Sequence, residues 1–363
     1  MSEPPKPPPS WLIDGVGRVR AGLGLLHRSA VPPKVALLEI AQGAWLSQAM
    51  YVSTKLGIAD ALASGPLSAD DVARKVGSDA AATFRLMRAL ASNGILNKRR
   101  DGRFALTRVG RELRSDAPDT MAPMVELIGT PEHREHWSSL LHAVRTGSTA
   151  SDEVRGMPIF DYLETRPEYA EVFNRAMTGM SSMAIESLGS TYDFSDRKVI
   201  VDVGGGHGAL LGAVLRSAPL ASGVLFDQPS VIAGAGAPLE AAGVRQRCTL
   251  ISGSFFESAP EGGDAYLLKA IIHDWDDDQA LTILRNIRSA ITPNGKLVIL
   301  ELVLPEGAPP HPGMLLDLEM MVQTGGRERT ASEYANLLSQ GGFRQTRVVP
   351  TAGPMSIVEA VPA

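Results

Sequence analysis

The chain has 363 residues, of which 44% are hydrophobic and 21% charged, and a formal net charge of −5. That length exceeds most single cores and points to two domains, the composition is globular, and the mild acidity argues against a dedicated nucleic-acid or anionic-membrane binder. A single cysteine, Cys248, excludes an internal disulfide framework and a cysteine-based zinc cluster, and a cytoplasmic protein fits best.

The opening stretch MSEPPKPPPSW is proline-rich and has no apolar signal core, so residues 1–33 are expected to form a disordered or loosely ordered lead-in. No uninterrupted apolar run approaches the ~20 residues that a membrane-spanning helix needs. From residue 34 to about 190 helical periodicity dominates. The segment ALLEIAQGAWLSQAMYVSTKLGIADAL is apolar all round, so its helices need cover on more than one side. One chain rarely supplies that cover, which points to a homodimer. LSADDVARKVG reads as Ser68 capping a short helix. DAAATFRLMRALASNGIL reads as a second helix with Phe84, Leu86, Met87, Leu90 and Leu96 as its apolar residues. RRDGRFALT reads as a hairpin turning at Asp101-Gly102. Helix, helix, hairpin is a winged-helix arrangement.

After Thr191 the texture changes. KVIVDV, GVLFD, AYLLKAI and KLVILELVL are apolar runs separated by helix-like stretches, the signature of a parallel sheet covered on both faces. FRQTRVVP and SIVEAVP add two strands, expected as an antiparallel pair at an edge. In VIVDVGGGHG (199–208) a strand ends at Val203 and a helix follows. Glycines there let the backbone approach a ligand, and the helix N-terminus favours negative charge. The order Asp202, Val203, Gly204, Gly205, Gly206 departs from the G-x-G-x-x-G spacing of nicotinamide sites. Asp227 ends the next strand, where an acid can accept both ribose hydroxyls. These features specify an adenosine ligand without settling which one.

Residues 271–280 read IIHDWDDDQA. His273 follows an apolar strand, and ligand crevices in such sheets lie beyond the carboxyl ends of the strands. An imidazole of ordinary pKa ~6.5 is suited to taking a proton from a hydroxyl. Asp276, Asp277 and Asp278 raise a metal site as one reading. The helical spacing of Ala280, Leu284, Ile287 and Ile291 behind them favours another, in which they cap that helix and match its dipole.

An acid before the glycines, a G-x-G spacing and an acid ending the second strand resemble the S-adenosylmethionine site of class I methyltransferases. GSFFESAP, KAIIHDWDDDQ, LELVLPEG and GGRERTASEY follow one another as in the plant-type small-molecule O-methyltransferase family. That family includes bacterial phenazine, anthracycline and hydroxyneurosporene relatives and animal acetylserotonin methyltransferase, and the resemblance runs from about Leu37 to Val361. It implies an α/β protein: a Rossmann-like seven-stranded sheet in a catalytic domain at 191–363, preceded by a mostly helical winged-helix dimerisation domain at 34–190. It further implies S-adenosyl-L-methionine as cofactor, S-adenosyl-L-homocysteine as product, no metal, and in-line methyl transfer to a hydroxyl of a small aromatic or quinone-like acceptor. His273 is then the general base, with Glu301 and Glu328 flanking its imidazole.

Carried over by position, Asp202, Gly204, Gly206 and Asp227 hold the cofactor. Lys269 matches a lysine that reaches its polar tail, and Trp275 an aromatic near the adenine. Ser254 and Phe255 match an Asp-Met pair that holds the adenine ring, with serine in place of the acid. Phe173, Met177 and Met180, together with Met314, Leu318 and Gln323, line the acceptor pocket, where thioethers suit flat aromatic ligands. Two other readings compete. One is a cofactor-retaining relative that decarboxylates or hydroxylates a polyketide; retention of His273, Glu301 and Glu328 favours methyl transfer. The other is a winged-helix DNA-binding regulator, for which the basic stretch NKRRDGRFALTRVGRELR is the motive.

Overall fold

The computed structural model describes residues 10–117, 120–307, 310–311, 313–351 and 353–363. Contacts divide the chain into two bodies, one built chiefly from residues 142–152 and 183–363, the other from 22–141 and 153–182. The change of texture read at 190/191 therefore falls slightly later than the change of packing, and a short segment from the first half, 142–152, belongs with the second.

In the helical body, Ser68 accepts the Asp71 N–H at 3.1 Å and starts the helix Ala69–Val76. Asp79 caps Ala80–Ser92 in the same way, through the Ala82 N–H at 2.7 Å. The strands Leu96–Lys98 and Phe104–Leu106 pair antiparallel. Their turn is held by Asp101, which accepts the Arg103 N–H at 3.1 Å, beside Gly102 at φ +84°. Val72, Met87, Leu90, Leu96 and Phe104 form the core of this winged-helix unit. Leu96 is a strand residue and not a helical one as the sequence suggested, because the helix stops at Ser92 and Gly94 takes φ +74°.

One further expectation changes. Ser10–Ser29 is a helix, where the sequence suggested a loosely ordered lead-in; this stretch contains no proline to interrupt it. Residues 1–9 lie outside the described residues. The helices Pro33–Ala41 and Gly43–Lys55, whose cover was expected from a second chain, leave Leu37, Leu38, Ile40 and Trp45 exposed within one chain.

The second body is a seven-stranded sheet with strands β1 (Val199–Val203), β2 (Ser222–Asp227), β3 (Cys248–Ser252), β4 (Ala265–Lys269), β5 (Lys296–Glu301), β6 (Phe343–Pro350) and β7 (Ser356–Pro362), in spatial order β6-β7-β5-β4-β1-β2-β3. Strands β1 to β5 are mutually parallel, and β7 pairs antiparallel with both β5 and β6. On one face lie α1 (Ala209–Ser217) and neighbouring helices, packed through Leu211, Val214, Leu215 and Leu239. On the other lie α2 (Asp277–Ala290) and, after α3 (Gly313–Gln323), α4 (Ala331–Gln340), packed through Ile283, Leu284, Ile287, Tyr334 and Leu338. Strands buried on both faces explain why the runs read as continuously apolar. The strand order reverses between β1 and β4, so a crevice opens at their carboxyl ends, where the glycine loop and His273 emerge.

Candidate active site

The glycine loop leaves β1 at Asp202, a buried carboxylate whose two oxygens have no hydrogen-bond partner among the described residues. Burial raises it to about 7, against the pull of Lys269. A Cβ on Gly205 would lie 2.6 Å from this carboxylate, so the missing side chain is what leaves Asp202 its space. Gly204, at φ +66°, is equally constrained: a Cβ there would meet Ile271 Cδ1 at 2.5 Å. Ile271 therefore sits on the glycine loop and brings the segment before His273 against it. The Gly206 N–H donates to Asp227 Oδ2 at 2.8 Å, while Asp227 Oδ1 accepts the Gln228 N–H at 2.7 Å. Each oxygen keeps a second lone pair for a hydroxyl donor.

Three aromatic rings form a wall nearby. Phe255 and Phe256 lie with centroids 4.9 Å apart, and Trp275 lies 6.0 Å from the first and 4.7 Å from the second. Ser254 starts the turn that carries the two phenylalanines, its hydroxyl accepting the Phe256 N–H at 3.3 Å. Lys269, at the end of β4, is lowered below the usual lysine range by burial, with Asp202, Asp274 and Glu301 acting against that shift. The crevice thus offers an unsatisfied acid, a ribose-type acceptor, an aromatic wall and one ammonium.

His273 follows β4 on a single tight helical turn, Ile272–Asp274. Its Nδ1 is 2.8 Å from Glu328 Oε1, and its Nε2 is 3.7 Å from Asp274 Oδ1. Burial disfavours the charged ring, but Asp274, Glu328 and Glu301 outweigh it and hold the pKa at about 10. With Glu328 accepting the Nδ1–H, the neutral ring is the tautomer whose Nε2 lone pair is open to a proton. Burial likewise raises Asp274, to about 6.

Glu301 is placed differently from the sequence expectation. Neither of its oxygens bonds the imidazole. Oε1 accepts the backbone N–H groups of Ile271 at 3.0 Å, Ile272 at 2.6 Å and His273 at 3.3 Å, and Oε2 accepts the buried Tyr334 hydroxyl. Its position at the end of β5, beside β4, puts it under the backbone of the turn and not beside the ring. The residue before this turn, Ala270, has φ +52°, the one non-glycine residue with positive φ among the described residues. An L-residue pays about 1–2 kcal/mol for that conformation.

From the opposite side the 325–330 segment closes onto the same turn. A Cβ on Gly326 would lie 2.0 Å from the His273 carbonyl oxygen, and the Arg327 N–H donates to that oxygen at 2.9 Å. Arg329, fully buried, donates to the carbonyls of Ile272 at 3.1 Å and Trp275 at 3.2 Å and pairs with Asp277 at 2.6 Å. Asp276 caps α2 through the Gln279 N–H at 2.8 Å. Two acids of the DDD run are thereby engaged in capping and ion pairing. Ala270, Asp274, Arg329 and Tyr334 escaped the sequence reading. Arg329 and Tyr334 lie inside the GGRERTASEY motif and Ala270 and Asp274 inside KAIIHDWDDDQ, but nothing in the sequence marks Ala270 as left-handed.

The residues expected at the acceptor are divided between the two bodies. Within the sheet body, Met314 and Leu318 are half-buried on α3, and Gln323 is buried with its carbonyl accepting the Ser151 hydroxyl at 2.7 Å. Asp317, from the same helix, accepts the Glu328 N–H at 2.9 Å. Within the helical body, Phe173 packs against the cluster of Leu127, Ile159, Tyr162 and Ala176, Met180 is half-buried and Met177 is exposed.

Residues 137–344 match the model of the O-methyltransferase domain, and residues 38–116 match that of the O-methyltransferase dimerisation domain. The chain is 44% identical to a phenazine O-methyltransferase of Lysobacter antibioticus over 92% of this chain and 97% of that protein. It is 38% identical to the O-demethylpuromycin-O-methyltransferase of Streptomyces alboniger over 93% of this chain and 91% of that protein. The crystal structure of human N-acetylserotonin methyltransferase, in complex with its cofactor, superposes with a TM-score of 0.82 at 27% identity, covering 92% of this chain and 98% of that one.

Proposed function

The chain belongs to the O-methyltransferase family, whose members use S-adenosyl-L-methionine on small secondary metabolites, and from that premise we propose that His273 is the general base for a hydroxyl of an aromatic or quinone-like acceptor. The observation that carries this reading is the 2.8 Å contact between His273 Nδ1 and Glu328, made inside a buried site beside the glycine loop.

The crevice fits the cofactor. Asp202 is a buried acid lacking a hydrogen-bond partner among the described residues, which suits the ammonium of the cofactor's methionine tail. Asp227 would take the ribose hydroxyls, Phe255 and Trp275 the flat base, and Lys269 the carboxylate of the tail. Ser254 replaces the acid expected at the adenine, so its hydroxyl or a water takes that contact. When bound, the cofactor supplies the methyl group on a sulfonium, an excellent leaving group. The protein's remaining tasks are to hold the acceptor in line and to remove its proton.

His273 Nε2 takes that proton. Glu328 fixes the ring by accepting Nδ1–H and stabilises the imidazolium that forms, while Asp274 beside Nε2 adds to that stabilisation. The carboxylates around the ring raise its pKa, which makes it a stronger base while leaving less of it neutral at pH 7. Met314, Leu318 and Gln323 are proposed to shape the acceptor site. A homodimer formed through the helical domain is part of the same proposal, since the chain carries the family's dimerisation domain.

Replacing His273 with alanine tests the assignment. Cofactor affinity measured by calorimetry is expected to stay within about threefold. Transfer of labelled methyl to a phenolic acceptor should fall about a hundredfold or more. Near-normal transfer in that variant rejects His273 as the base.

A further inference from the structure

The turn that presents His273 is built in an unusual way. Ala270 is left-handed, at φ +52°, and Ile271 follows at φ −120° and ψ −53°. In this turn three consecutive N–H groups, from Ile271, Ile272 and His273, point to the same side. A concavity of successive N–H groups is an anion-binding nest. Here the anion is internal, the buried carboxylate of Glu301, with Oε1 at 3.0, 2.6 and 3.3 Å from the three nitrogens. Tyr334, fully buried on α4, donates to Oε2 and fixes the carboxylate's rotation. The strain at Ala270 and the charge on Glu301 therefore belong to one device: the carboxylate holds a backbone conformation that alanine alone would leave.

We infer that Glu301 is a positioning residue, which makes no bond to the His273 ring and orients it through the backbone, by filling a nest that keeps Ala270 left-handed and the imidazole aimed. The inference rests on the proposed role of His273 and differs from one in which Glu301 supports the ring directly. It makes a distinct demand: the need for Glu301 should shrink when position 270 accepts positive φ without strain. Glycine does so.

The test is a four-member cycle of wild type, Glu301→Gln, Ala270→Gly and the double variant, each assayed for kcat, KM and cofactor affinity. Glu301→Gln is expected to lower kcat at least thirtyfold with cofactor affinity within threefold. Glutamine keeps one acceptor oxygen but loses the charge that the three N–H groups share. The double variant should lose at least fivefold less than the product of the two single losses, with its pH–rate limb unmoved relative to Glu301→Gln. Losses that simply multiply, or a Glu301→Gln enzyme with near-normal kcat, overturn the inference. Should Glu301→Gln fail to fold, Tyr334→Phe takes its place, and multiplicative losses with Ala270→Gly again overturn it. His273→Ala is run in parallel. Normal activity there removes the base itself, whereas a dead His273→Ala beside a multiplicative cycle removes only the nest.

Discussion

Glu328 holds His273 through one oxygen, while the other, Oε2, is buried with no hydrogen-bond partner among the described residues. Burial raises the Glu328 carboxyl above its usual range, and the bond to His273 draws it back. The charge that remains is one of three that keep the ring near pKa 10. Since only the neutral ring accepts a proton, kcat/KM for the acceptor should rise with pH from 7 and level off as the ring's pKa is passed. Glu328→Gln removes a charge that favours the imidazolium, so the rising limb should move to lower pH by about one unit or more. Its plateau should fall about tenfold, because the imidazolium that the proposed base forms is less well stabilised. A limb that stays in place means that Glu328 does not set the ring's protonation. At this scale the sequence motifs located His273 and Glu328. They did not reveal that Glu301 serves the backbone, because that depends on which side of the turn a neighbouring strand ends.

The segment 325–330 acts as one element. Gly326 passes so close to the His273 carbonyl that no side chain fits, Arg327 bonds that carbonyl through its N–H, and Arg329 reaches the carbonyls of Ile272 and Trp275. Gly326→Ala must push this segment off the turn, since the obstacle is backbone and cannot rotate away. We expect a loss of about 1–3 kcal/mol in stability. A kcat at least tenfold lower at nearly unchanged cofactor affinity should accompany it, since the glycine loop is not displaced. Thermal unfolding and calorimetry measure stability and affinity, and a wild-type kcat in the Gly326→Ala enzyme would show that the close approach is incidental. Capping was legible at the scale of elements: Ser68 and Asp276 start helices where the sequence put them. Leu96 was misplaced because its apolar spacing continues the preceding helix and only Gly94 signals the break.

On the scale of the whole molecule, the apolar residues of the helices Pro33–Ala41 and Gly43–Lys55 are not covered by their own chain. Leu37 is 69% and Trp45 71% exposed, in the region where the dimerisation domain begins. Large apolar side chains clustered on a surface are the mark of a subunit interface. The double variant Leu37→Asp/Trp45→Asp is expected to sediment as a monomer at micromolar concentration, and the wild type as a dimer. An unchanged dimer would place the interface elsewhere. Among the described residues no helix is long and apolar enough to cross a membrane.

The sequence by itself determined the alternation of strands and helices, the glycine turn after β1, the acid ending β2 and the histidine after β4. These are local: apolar runs, caps and glycines act over a few residues, and ordered motifs carry a family's chemistry with them. Only the tertiary structure decided that Glu328, 55 positions from His273, bonds its ring while Glu301 lies beneath its backbone. Only it showed that Ala270 is left-handed and that a buried arginine clasps the turn. The physical reason is that a side chain's partner is set by where separate strands end in space, and a strained dihedral persists only where surrounding groups outweigh its cost.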